Sequence, residues 1–354
     1  MPTPNPLLLI GGASLPAGRD CLDQADARGI PVWLTDTPAN LARLPELTRR
    51  AARVLELPYQ EPRTCLTWAR SQRDRQEYPS QEFLGVYGFR EQAVQSVAAV
   101  SEVFGTAGIG LATARKLQDK AACRQALREA GFSQPPSVRC RSREDALRFM
   151  AAHQPGPWIL KPPAAQGSVG ISLLSGPADL DPALTHLAAS CAAFARDSGR
   201  SPVQRPAAGE PFLMEGFQTG TEYSAEGVCI DGRPRVLVVT EKLTTGAPHF
   251  VEIGHAMPAD LGPARQQAVD DTVCAALTAL GLTWGVFHVE LWIDGSPEQG
   301  VTRPTVVLGE VHARPGGDHI HTMTQHVTGL ELHGAVFDQF LGRPPAAGRA
   351  QPLP

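Results

Sequence analysis

GVFHVELWID (residues 285–294) and TVVLGEVHAR (305–314) are two strand-length runs of alternating apolar and polar residues, separated by the turn-rich segment SPEQGVTRP. Side chains alternate faces along a strand, so His288, Glu290 and Trp292 share one side of the first run. By the same alternation Leu308, Glu310, His312 and Arg314 share one side of the second. Paired as a hairpin, the runs bring both carboxylates and Arg314 to one face. Two carboxylates held together repel, and an oxygen-seeking cation such as Mg²⁺ relieves the repulsion. Magnesium held by one or two carboxylates commonly takes phosphate oxygens as well, which implies a nucleotide nearby. The plainer alternative is the solvated face of an antiparallel sheet, where alternating polar residues are ordinary.

Upstream, WILKPPAAQGSVGISLL reads as two short strands around a Pro/Gly loop, with Lys161 ending the first strand and Gln166, Gly167, Ser168, Val169 and Gly170 following. Small residues let backbone N–H groups approach an anion closely. The loop is not a P-loop, since GxxxxGK[ST] is missing, and taken alone a glycine-bearing hairpin turn explains it as well. FLMEGFQTGTE is an apolar strand ending in Glu215, with Glu222 seven residues on, after which EYSAEGVCIDGRPRVLVVTEKL reads mostly as strand with a DG turn at 231–232. Helices are expected over 90–131, interrupted by GTAGIG and stopped at Gly131, from an N-cap at Ser142, near 263–281 and near 328–341. Residues 7–36 read as strand, turn, helix, strand, with Asp36 closing the second strand; Gly11-Gly12 and a distant Gly18 do not make the dinucleotide fingerprint G-x-G-x-x-G. Residues 59–82 are polar and weakly periodic, as in a surface excursion.

The 354 residues suffice for two or three subdomains. With 32 basic against 36 acidic residues, bulk positive charge does not favour nucleic acid as a partner. Only four basic residues are lysine (Lys116, Lys120, Lys161, Lys242) and only two residues are asparagine, a bias that a GC-rich genome explains and that makes each surviving lysine informative. Seven scattered cysteines without a CxxC, an N-terminus lacking a basic n-region, and no apolar run of 18 residues lead to the expectation of a soluble cytoplasmic protein without disulfides or membrane partners.

The series Lys120, Lys161 with QGSVG, Glu215 to Glu222, then Glu290, Glu310 and Arg314 resembles the ATP-grasp superfamily over about residues 90–342, and within it carboxylate–amine ligases of the L-amino-acid (dipeptide) ligase type, to which FVEIGHAMPADL and EVHARPGGDHI have counterparts. The resemblance implies an α/β (α+β) ATP-grasp fold. It would comprise an N-terminal Rossmann-like domain (1–95) and an ATP-grasp domain (96–342), divided into a lid subdomain (about 135–213) and a catalytic mixed-sheet subdomain (about 214–342), before a disordered tail at 343–354. It implies that Lys120 and Lys161 hold ATP phosphates under the 166–170 loop, that Glu215, Gly216 and Phe217 line the adenine, and that Glu222 binds ribose. Lys242 would face phosphate, Glu290 and Glu310 would hold Mg²⁺, and Arg314 would stabilise the transferring phosphoryl group, with His255 and Gly316-Gly317 near the substrates.

Two departures stand out. His312 replaces the asparagine usual two residues after the second metal-binding Glu, which points towards Mn²⁺. The chain also ends soon after the last helix, where many amino-acid ligases carry a further small subdomain. The implied activity is ATP-dependent joining of a carboxylate and an amine, amino acids above all, through an acyl-phosphate with release of ADP and phosphate; dimers are frequent among such ligases. Rival readings are an ATP-grasp enzyme activating bicarbonate or formate, a nucleotide-binding protein without turnover, and an iron site built on His288, Glu290 and His312. His319, His321 and His326 read as polar lining of a loop, and Cys229 and Cys274 as core.

Overall fold

The computed structural model describes residues 4–74, 83–163, 169–197, 211–246, 252–295 and 304–345. The N-terminal part runs β1 (Leu7–Ile10), α1 (Ala17–Asp26), β2 (Val32–Asp36), α2 (Pro38–Arg43), α3 (Pro45–Thr48), β3 (Arg53–Glu56), α4 (Pro62–Asp74) and β4 (Gly85–Tyr87). Its strands form a parallel sheet in the order β3-β2-β1-β4. Crossovers of this kind cover both faces of a sheet, which is why Leu7, Leu8, Leu9 and Ile10 are all fully buried. Leu7 and Leu9 pack to one side and Leu8 and Ile10 to the other. The stretch read as a surface excursion is helical over α4, whose Cys65 and Ala69 enter the second of these cores; residues 75–82 lie outside the described residues. Two small buried residues at i and i+4 are too weak an apolar signal to show in a polar segment.

The helical stretch expected over 90–131 is interrupted at GTAGIG and again at Asp119, giving α5 (Val94–Phe104), α6 (Leu111–Gln118) and α7 (Lys120–Glu129), with left-handed Gly105 and Gly131 after the first and last. The next part holds β5 (Ser137–Cys140), α8 (Arg143–Ala152), β6 (Trp158–Lys161), β7 (Ser172–Leu174), α9 (Leu180–Asp197) and β8 (Phe212–Gly216). Its strands form an antiparallel sheet ordered β5-β8-β6-β7. Ser142 caps α8, accepting from the Asp145 N–H at 3.2 Å while Asp145 accepts from the Ser142 N–H, so two helix-start donors are satisfied reciprocally.

The third part contains β9 (Glu222–Ile230), β10 (Arg233–Thr244), β11 (Glu252–Ala256), α10 (Gly262–Leu280), β12 (Gly285–Asp294), β13 (Thr305–His312), α11 (Ile320–Thr328) and α12 (Leu332–Phe340). Its antiparallel sheet is ordered β11-β10-β9-β12-β13. Asp231 and Gly232 both take positive φ in the tight turn between β9 and β10. One face of this sheet packs on α10 and α7 through Leu291, Leu308, Val273, Leu277 and Leu127, all fully buried. At roughly 1.5–3 kcal/mol for each large apolar side chain removed from water, that layer anchors the sheet and leaves its other face for polar work. Helix α12 lies against the N-terminal sheet, where Leu332, Val336 and Phe337 meet Leu7, Leu9 and Leu34, and Arg28, in the turn after α1, donates to Asp338 at 2.8 and 2.9 Å and to Glu331 at 2.7 Å.

Two expectations about local structure are corrected. His321 and His326 lie on helix α11, with His319 as its N-cap residue, rather than in a loop. Leu308 does not share the face of Glu310: the β12–β13 register shifts between Val289 and Leu291, pairing Leu308 with Leu291 in the core while His312 pairs with His288. A bulge reverses the alternation, because two residues of one strand then oppose one of the other. Gly309 permits it, since a Cβ there would lie 2.7 Å from the Glu290 carbonyl oxygen. Among the described residues no helix is long and apolar enough to cross a membrane, and all seven cysteines are free thiols.

Candidate active site

The register of the five-stranded sheet dictates what faces the open side. On β9 Glu222, Ser224 and Glu226 point one way; Trp292, Glu290 and His288 of β12 stand opposite them, and Thr240 of β10 opposite Ser224. Lys242 follows on the same face, and His255 of β11 pairs with it. Residues three apart on a strand normally face opposite ways, but the register between β10 and β11 shifts at Leu243/Thr244, so Glu252 pairs with Thr244 and joins His255. A cavity of about 1430 Å³ lies over this face, walled also by the β5–β8 sheet and by the loop before α1.

Its charges form alternating pairs. Lys120 opens α7, where the Asp119 side chain caps the helix, and its Nζ donates to Glu310 Oε1 at 2.6 Å. Lys161, from the end of β6, donates to the same oxygen at 3.0 Å and lies 2.8 Å from Glu215 Oε2. Arg124, one helical turn beyond Lys120, donates to Glu215 Oε1 at 2.8 Å and to the Leu308 carbonyl at 2.6 Å. Burial alone would raise the Glu215 carboxyl, but Arg124 and Lys161 outweigh it and hold the group down at about 2. Burial likewise works against charge on Glu310, yet Lys120 and Lys161 keep it well below the usual carboxylate range.

Lys242, with 2% of its side chain exposed, donates to Glu222 at 2.7 Å, Glu290 at 2.7 Å and Glu252 at 3.0 Å. One ammonium among three carboxylates leaves an imbalance: burial and the Glu290 charge push Glu222 up to about 7. Glu290 stays well below its ordinary value, Lys242 and His288 overcoming the effect of burial. His288 is itself held by Glu226, whose oxygens lie 2.9 and 3.0 Å from Nδ1. Glu91, in the short 3-10 turn before α5, accepts from Arg314 Nε at 2.9 Å and lies 2.9 Å from His312 Nδ1.

Residues 154–306 match the model of the ATP-grasp domain. Over that segment, less than half of the chain, the protein is similar to ATP-grasp domains. Among solved structures, the chain superposes on the L-amino acid ligase of Bacillus licheniformis with a TM-score of 0.70 at 22% identity, covering 96% of this chain and 75% of that one. The biotin carboxylase domain of the Hydrogenobacter thermophilus 2-oxoglutarate carboxylase, in complex with MgADP and bicarbonate, superposes with a TM-score of 0.71 at 15% identity over 99% of this chain and 72% of that one. In sequence, carnosine synthase 1 of Mus musculus is 28% identical over 124 residues, which is 35% of this chain but only 14% of the synthase's length.

The residues expected to act together lie together: Lys120, Lys161, Glu215, Gly216, Phe217, Glu222, Lys242, Glu290, Glu310, His312 and Arg314 all line this cavity. Gly170 is at positive φ just before β7, with Val169 on the cavity wall; Gln166, Gly167 and Ser168 lie outside the described residues. His255 stands behind the wall, its Nε2 3.7 Å from Glu252 and 3.6 Å from Asp318. Lys116 is elsewhere, donating to the Leu280 carbonyl at 3.3 Å. Sequence reasoning missed Glu91, Arg124, Glu226, Glu252 and Asp318. Arg124 had a signal, being four residues after Lys120 on a helix, and Glu226 another, being in alternation with Glu222; Glu91 had none.

Proposed function

We propose that this protein is an ATP-dependent carboxylate–amine ligase that forms an amide, most plainly between amino acids, through an acyl-phosphate. The observation that carries the reading is the convergence of Lys120, Lys161 and Arg314 with Glu290 and Glu310 in one cavity, each from a different element. The likeness to an L-amino acid ligase over nearly the whole chain supports it.

A carboxylate is a poor electrophile, so amide formation needs its oxygen turned into a leaving group. In the first step a carboxylate oxygen attacks the γ-phosphorus of ATP, and the bond to the β-phosphate oxygen breaks to release ADP. In the second, an amine nitrogen attacks the acyl carbon, the carbon–oxygen bond to phosphate breaks, and the nitrogen loses a proton. The protein's work is positioning and neutralising charge on phosphoryl oxygens. Lys120 and Lys161 are aimed at that task, held by Glu310 until phosphate oxygens compete for them. The Arg314 guanidinium is oriented by Glu91 and by the Pro315 carbonyl at 2.8 Å. Glu215, Gly216 and Phe217 line the same cavity and would wall the nucleotide's base, and Glu222 would hold its ribose.

The carboxylates fit a divalent cation, since Glu290 and Glu310 stand on one sheet face and each has drawn a lysine ammonium against it. Glu290 and Glu310 would hold it, with His312, whose Nε2 is 3.5 Å from Glu310 Oε2. Bound Mg²⁺ or Mn²⁺ supplies charge neutralisation for the nucleotide's phosphates.

The test is phosphate release from ATP over a grid of paired amino acids, with mass analysis of the productive wells. Expected products are ADP, phosphate and an amide; AMP or pyrophosphate sinks the mechanism. Incorporation of labelled bicarbonate in place of an amine would favour the carboxylase-type reading, which the likeness to the biotin carboxylase domain keeps in view.

A further inference from the structure

Lys242 sits where a cation is wanted. Its Nζ lies within 3.0 Å of Glu222, Glu252 and Glu290, and the carboxylate oxygens of these three residues lie within 4.8 Å of one another, close enough to hold a metal ion. A lysine at a cavity wall ordinarily leaves its ammonium in water, because the flexible stem allows it and hydration favours it. This one is 2% exposed, and burial, which opposes charge, is outweighed by Glu290, Glu222 and Glu252. The strand fixes the face from which the side chain starts: Lys242 pairs with His255 on one side and follows Thr240 and Glu241, which are paired to β9, while the flexible stem leaves the ammonium free to shift between acceptors on that face.

We propose that Lys242 is a built-in counter-ion that closes the Glu290 cation site to free divalent metal and yields it only when a nucleotide brings phosphate oxygens for the ammonium to move to. Two like charges a few ångströms apart repel, so a metal ion on Glu290 and the Lys242 ammonium on the same carboxylate exclude each other. Arrival of a metal–nucleotide complex changes the balance, because the phosphates offer Lys242 new acceptors while the metal takes over the carboxylate. Lys242 thereby acts as a positioning residue: it sets the order in which cation and nucleotide are accepted, and it keeps three neighbouring carboxylates in place beforehand. The inference rests on the ligase reading only in taking Glu290 as a metal ligand, and its test needs no turnover.

Binding of Mn²⁺ to nucleotide-free protein is measured by the loss of the free-ion electron paramagnetic resonance signal. Lys242→Met should bind free Mn²⁺ at least about 10-fold more tightly than the native protein, since a neutral side chain of similar length removes the competitor. Lys242→Arg, which keeps the charge, should stay close to native. The binding gained by Lys242→Met should vanish in Lys242→Met/Glu290→Gln. Because three carboxylates lose their partner, Lys242→Met is also followed by thermal melting: Mn²⁺ should raise its Tm by several degrees and leave the native Tm unmoved without nucleotide. Equal affinity and equal Mn²⁺ response in native protein and Lys242→Met overturn the proposal, as does gained binding that survives Glu290→Gln. Amide formation that fails while these shifts appear would count against the ligase reading alone.

Discussion

His288 gives the sharpest quantitative test of the site's electrostatics. Its imidazole is 4% exposed, and burial by itself would lower its pKa; the Glu226 carboxylate, 2.9 Å from Nδ1, reverses this and pushes it up to about 9. The folded pKa thus lies above the unfolded value of about 6.5, so the stabilisation is fully present below pH 6.5 and is lost as pH rises through 9. A rise of about 2.5 pH units corresponds to roughly 3 kcal/mol, of which roughly 2 kcal/mol disappears between pH 7 and pH 9. Neighbouring titrations enter this window, so the test is the difference between the native protein and a His288 variant. Glu222, raised to about 7, acts in the same direction but below pH 7. His333, driven down to about 3 by burial, has its effect complete above pH 6.5, whereas the cysteine thiols that burial raises, Cys65, Cys123 and Cys229 among them, lose stability in the same direction from roughly pH 8.5 upward, in native protein and in a His288 variant alike. Urea denaturation at pH 7, 8 and 9 should show the native protein losing roughly 2 kcal/mol more than His288→Gln over the window. A difference of less than about 0.5 kcal/mol between the losses of native protein and His288→Gln would refute the assignment.

Two further outcomes are expected. Lys161→Arg should lower kcat by roughly 100-fold or more, because a planar guanidinium cannot occupy the buried, two-carboxylate niche of a compact ammonium, whereas Lys116→Arg should change kcat less than about twofold; equal effects in a phosphate-release assay would reduce the scarcity of lysine to codon bias. Mn²⁺ should support turnover at least as well as Mg²⁺, since His312 presents an imidazole nitrogen 3.5 Å from Glu310, and strict Mg²⁺ dependence in a metal titration would remove His312 from the ligand set.

What the sequence made legible, and what it hid, follows from periodicity. Glu290, Glu310 and His312 could be placed on one face because an unbroken strand segment alternates with period two. Arg124 was within reach by the same kind of argument, at period 3.6. The misplaced Leu308 and the missed Glu252 fall where the period breaks. Leu308 was put beside Glu310 and belongs in the core, because the bulge at Gly309 adds a residue to β13; what demands glycine there is the approach to the Glu290 backbone, which no local pattern announces. Glu252 and His255, three apart, should face opposite ways by simple alternation, and they stand together because a second shift occurs in β10–β11, with Ile253 left 68% exposed between them. Both irregularities flank Glu290, one in each outer strand pair of the sheet. Without them the sheet would carry fewer acidic groups on its open face, and Lys242 would meet two carboxylates instead of three. The charge pattern that recommends Lys242 as a cation in waiting is therefore a product of β-bulges, and it could be read only from the register.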